Sequence, residues 1–99
     1  MEYNIDHETR IKTAVREYAN TNSTLIRQKH LMNIESFEHI VNIGTSIMMN
    51  TWEINTFPGS FVKSILKNDL SAAVRSSDHI NADTLCFYVT LRANLRYVE

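Results

Sequence analysis

Four histidines, one cysteine and a scatter of hydroxyl and basic side chains are the residues of this chain that could do chemistry. His7, His30, His39 and His79 include no pair at the i, i+4 spacing that would put two ring nitrogens on one metal ion, and a single cysteine cannot form Cys-x-x-Cys. No metal and no cofactor are expected. Cys86 follows His79 by about two helical turns, which would place a thiol and an imidazole on one face. Nothing flanking Cys86 would lower its pKa, so it reads as a small buried hydrophobe. Ser60, Ser64, Ser71, Ser76 and Ser77 show no Gly-x-Ser-x-Gly elbow. An enzyme is not expected.

Binding chemistry is better represented. Pro58-Gly59-Ser60 stands where a helix should start, and free N–H groups at such a start can hold a phosphate or carboxylate, with Lys63 about one turn on. Arg92 and Arg96 share a face at i, i+4, where like charges repel slightly unless an anion or an acidic partner offsets them. Ser60, Lys63, Arg92 and Arg96 are therefore the candidate anion-binding residues, beside the plainer readings of a simple cap and a solvated face. Arg10, Lys12, Arg16, Arg27 and Lys29 form a looser basic group that Glu2, Asp6, Glu8 and Glu17 dilute, so nucleic-acid binding would be weak. The strongest hint is apolar. Met48, Met49, Trp52, Ile54 and Phe57 crowd the segment before Pro58, more than so small a domain readily buries. Clustered Met and aromatic side chains mark interfaces when exposed, and these five residues are the expected contact surface. The alternative is that the segment wraps back over the core.

Helices must position these groups. Only two glycines and one proline occur in 99 residues, too few for the many tight turns of an all-β domain. Asp6 suits an N-cap, and Ile11, Val15 and Tyr18 recur at helical spacing. Thr21-Asn22-Ser23-Thr24 is a poor helix former, so 7–32 is either one long helix or two segments. Asn33 is the next N-cap, before a helix apolar over a wide arc, with Ile34, Phe37, Val41, Gly44 and Met48 on one face and Ile40, Ile43 and Ile47 beside it. Gly44 on that arc suggests the close approach of another backbone. Pro58 suits a first helical position, Asp69 caps a helix whose inward face is Leu70, Ala73 and Val74, and Asn81 caps the last helix. Residues 85–91 are rich enough in β-branched and aromatic side chains to serve as a buried strand instead. The expected fold is all-α: one compact domain over 1–99, a bundle of four or five helices, with an irregular connection near 50–57. The alternative is α+β with 85–91 as a strand.

The net charge of −1 carries no global signature for nucleic acid or an anionic membrane. The lone cysteine fits a reducing compartment, the polar start is unlike a signal peptide, and no apolar run approaches a membrane span.

The string Pro58-Gly59-Ser60-Phe61-Val62, Ile65-Leu66, Asn68-Asp69-Leu70, Ala73, Asp78 and Asn81 resembles a family of small tailed-bacteriophage proteins over about 57–91. The resemblance implies a viral origin and a helical C-terminal half, and it brings no catalytic residues. His79 and Ile80 stand where such relatives tend to be acidic. The expected function is a non-enzymatic phage accessory protein that binds and inhibits a host protein in the host cytoplasm, as a homo-oligomer. The alternatives are sequestration of a small anionic, nucleotide-like host signal and weak nucleic-acid binding.

Overall fold

A long central helix organises the molecule, and its sequence explains why. In the computed structural model, which describes residues 5–54 and 58–99, α3 (Ile34–Thr51) buries Ile40, Val41, Gly44, Thr45, Ile47, Met48 and Met49. Apolar positions on so wide an arc need neighbours on several sides. α3 packs against α1 (Ile5–Thr21), α2 (Gln28–Leu31), α4 (Ser60–Leu66), α6 (His79–Asp83) and α7 (Leu85–Asn94), while α5 (Leu70–Ser76) packs on α4. All described elements are helical, and 85–91 lies in α7, not a strand. The radius of gyration, 12.7 Å, is that of a compact chain of about 100 residues.

Local chemistry sets the element ends. Asp6 lies inside the first turn of α1 with Glu8 and is not its N-cap; there the carboxylates complement the helix dipole. α1 stops at Asn22, whose amide and backbone N–H both donate to the Tyr18 carbonyl. A 3₁₀ turn (Ser23–Leu25), an extended Ile26 and the short α2 follow, so 7–32 is broken twice. Asn33 caps α3 by accepting from Ser36 N–H at 3.0 Å. Gly59, not Pro58, is the residue before α4, whose first residue is Ser60. Asn68, in the left-handed region (φ 58°), ends α4, and Asp69 caps α5.

The cap of the last segment is Asp78, one turn before the expected Asn81. Asp78 accepts from Asn81 N–H at 2.7 Å, which frees the buried Asn81 side chain to accept from the Tyr88 hydroxyl at 2.7 Å. The Thr84 hydroxyl donates to the Ile80 carbonyl, and a break there separates α6 from α7.

Gly44 is buried against side chains, not against another backbone. A Cβ placed there would stand 2.9 Å from Val15 Cγ1 and 3.0 Å from Leu91 Cδ2. The missing side chain lets α1 and α7 close on α3.

Candidate interaction surface

Met48, Met49 and Ile54 do not form the exposed surface that their composition suggested; all three are buried in the core. Trp52 is half-buried and meets Tyr97 edge-on at 5.1 Å. Phe57 lies outside the described residues. The cause is a tight turn at the end of α3: Ile54 N–H donates back to the Met49 carbonyl, and Glu53 adopts a left-handed φ of 56°. The turn folds Ile54 back under the core. The wrapped alternative describes these residues.

The four candidate anion ligands are spread over α4, α7 and the residues that follow α7. Ser60 and Lys63 are exposed on α4 and Arg96 is exposed beyond α7. Arg92 lines a cleft of about 270 Å³ with Thr51, Ile65, Asn68, Val89 and Ala93. Its guanidinium donates to Thr51 Oγ1, the Ile65 carbonyl and Asn68 Oδ1 at 3.2 to 3.4 Å. Those acceptors belong to the C-terminal ends of α3 and α4, whose dipoles favour a cation and oppose an anion. Arg92 therefore acts as a C-terminal cap for α4.

Three of the four histidines gather around α6, which no spacing in the sequence announced. His30 is buried, its Nε2 lies 3.1 Å from Asp83 Oδ2, and Arg27 and Lys29 approach the same carboxylate at 3.5 Å. The hydrogen bond with His30 first, then the two cations, hold the Asp83 carboxyl below the usual range. His39 Nε2 lies 3.0 Å from Asp78 Oδ2, and the His79 ring centroid is 6.3 Å from that of His30. These pairs fasten α6 at both ends to α2 and α3. Among the described residues, no His, Cys, Asp and Glu side chains group so as to hold a metal ion. Arg16 and Glu38 pair in the same way between α1 and α3, and their mutual hydrogen bond is the first cause of the lowered Glu38 pKa and the raised Arg16 pKa.

Exposed large apolar side chains occur at Met32 and at Ile34, which is 82 % exposed and not part of the buried arc of α3, at Tyr97, and as a further set on α5 and α7. Leu70 is 54 % exposed, Val74 53 % and Val89 43 %. Of the expected inward face of α5, only Ala73 is buried. α5 packs on α4 and turns Ala73 inward, which leaves Leu70 and Val74 on its flanks open. Cys86 is exposed, contrary to its reading as a buried hydrophobe, because Phe87, Tyr88 and Leu91 occupy the inward face of α7. Leu70, Leu85, Cys86, Val89 and Thr90 line a shallow groove between the two helices, with Asp83 at its end. This groove adjoins the Arg92 cleft, and Val89 belongs to both. The sequence did carry a signal for it. Leu85 and Val89 fall on a different stripe of α7 from Tyr88, Leu91 and Leu95, and a helix can bury only one of them at a core edge.

No described helix is long and apolar enough to cross a membrane. Comparison with protein-family models, with curated proteins and with solved structures finds no match.

Proposed function

We propose that this protein is a non-enzymatic binding protein that engages and inhibits a host protein through the apolar face of α5 and α7. One observation carries the reading: Leu70 on α5 and Val89 on α7 line one groove and both stay more than two-fifths exposed, and Val74, one turn along α5 from Leu70, is 53 % exposed as well. Contiguous apolar surface of this kind marks contact sites in folded proteins. The resemblance of the Pro58–Asn81 string to small tailed-bacteriophage proteins supports a bacterial host as the setting and its cytoplasm as the place of action.

The test is expression in a bacterial host, with growth as the readout. The wild-type chain is expected to slow growth. The double variant Leu70→Glu, Val74→Glu is expected to relieve it while keeping the wild-type melting curve, since both positions are already solvated. An equal growth effect from a folded double variant would overturn the assignment to this face.

A further inference from the structure

We propose that a second copy of this chain covers the outward face of α7, the two helices running antiparallel about a two-fold axis. This rests on the binding reading above: the second copy takes the α7 side of that surface and leaves Leu70 and Val74 on α5 to the host protein. Ala82, Cys86, Val89 and Ala93 are all exposed and follow one another at intervals of four, three and four residues, the a/d spacing of a helix–helix seam. The break at Thr84 does not scatter them: Ala82, Cys86 and Val89 line one groove, and Val89 and Ala93 line the cleft that adjoins it. The stripe carries no charge, and the helix that bears it is already folded, so pairing requires no ordering of the backbone.

The stripe is also its own complement. Read about the point between Phe87 and Tyr88, it is the same in both directions: Ala82 falls opposite Ala93 of the second copy, and Cys86 opposite Val89. Every layer matches small side chains with small ones, as an isologous two-fold contact requires. Charge selects the direction. Asp78 and Asp83 lie toward the N-terminal end of the stripe and Arg92 and Arg96 toward the other. Among the described residues, neither arginine forms an ion pair with a carboxylate. Antiparallel pairing brings each basic end toward the acidic end of the other copy, whereas parallel pairing sets arginine beside arginine. Arg27, Lys29 and His30 already face Asp83, His39 faces Asp78, and Arg92 also donates to the ends of α3 and α4, so charge here sets orientation more than affinity. A contact along one short helix falls below the ~1,200 Å² of a standard interface, so the dimer is reversible.

Native mass spectrometry or light scattering of the full chain, from about 1 to about 200 µM, tests this, because a reversible dimer is concentration-dependent. The mass is expected to rise from 11.5 kDa to twice that value. Val89→Glu is expected to stay monomeric with an unchanged melting temperature. Under a mild oxidant, Val89→Cys is expected to give a covalent dimer through Cys86 of the second copy. Wild-type chains are expected to cross-link poorly, because antiparallel offset holds the two Cys86 Cα atoms beyond the ~7 Å disulfide limit. A wild type that stays monomeric throughout overturns the proposal, as does a Val89→Glu dimer or efficient wild-type cross-linking through Cys86. A monomeric wild type that still slows host growth would overturn the dimer and leave the binding reading standing.

Discussion

Replacing Gly44 by alanine sets two effects of known sign against each other. In a solvated helix interior the change favours folding by about 1 kcal/mol, because glycine loses more backbone freedom. In this fold the new methyl would stand 2.9 Å from Val15 Cγ1 and 3.0 Å from Leu91 Cδ2, closer than carbon atoms pack, in a place where both neighbours are fully buried. The Leu91 methyl ends a flexible side chain and can swing away. Val15 is β-branched and holds one strongly preferred rotamer in a helix, so relief there requires α1 to shift. Overpacking of this kind costs about 1–3 kcal/mol. The net expectation is a loss of roughly 0–2 kcal/mol once the propensity gain of ~1 is subtracted. Near the middle of that range, the melting temperature falls by about 4–8 °C in a chain of this size. Urea unfolding of wild type, Gly44→Ala, Val15→Ala and the double variant separates the terms. Val15→Ala alone should cost about 2 kcal/mol through lost burial and a cavity. The double variant should be more stable than the sum of the singles by ~1 kcal/mol or more, because the clashing methyl is gone. A Gly44→Ala protein stabilised by the full propensity term, or a cycle additive within about 0.5 kcal/mol, would refute the close packing of α1 and α7 on α3.

Other positions give equally direct expectations. Tyr88→Phe leaves the buried Asn81 amide oxygen without its 2.7 Å donor and should cost about 1–3 kcal/mol in urea unfolding; a neutral change would place water at that site. Burial, and secondarily Asp78, raise the Tyr88 phenol far above its ordinary pKa. It should be absent from a spectrophotometric titration of the folded protein, and the stability linked to it should be complete below pH ~10 and lost as pH rises beyond that value. The Asp83 carboxyl is held low by His30, Arg27 and Lys29, so its contribution is present above the unfolded pKa of ~3.9 and is lost as pH falls from there through the lower folded value. Asp83→Asn should flatten the acid limb of a stability–pH curve, and an unchanged acid limb would count against the α2–α6 fastening. Asp69→Ala and Asn33→Ala each remove one N-cap bond at 3.0 Å and should each cost about 1 kcal/mol in thermal melts.

The helices were legible because their signals are local: Asn33 and Asp69 cap where their spacing to the next apolar stripe places them. The break after α1 was legible only as an ambiguity. Thr21–Thr24 is weak by propensity, and the outcome is set by one side chain, Asn22, folding back onto Tyr18. Asn81 illustrates a stronger limit. Its type fits a cap, yet Asp78, three residues earlier, takes that role, and Asn81 turns inward to a tyrosine seven residues on. Propensity ranks the two residues almost equally, so only the buried phenol decides between them. The surface was misplaced for a related reason. Met48, Met49 and Ile54 are conspicuous by type, but they end the one helix that is surrounded, and a left-handed turn at Glu53 folds the last of them under it. Leu70, Val74 and Val89 are unremarkable by type and are exposed because α5 covers only Ala73 and α7 has already given its other face to the core. Exposure here is a property of which helix lies at the edge of the bundle. Helical spacing could divide α7 into two stripes, but the core chooses between them through contacts made with residues up to eighty positions away, Val15 and Leu91 across Gly44 among them. The same constraint makes the α7 stripe informative. α7 spends Phe87, Tyr88 and Leu91 on the core, and its Cys86, Val89 and Ala93 continue the exposed, uncharged line begun by Ala82 of α6, the second face that the proposed pairing uses.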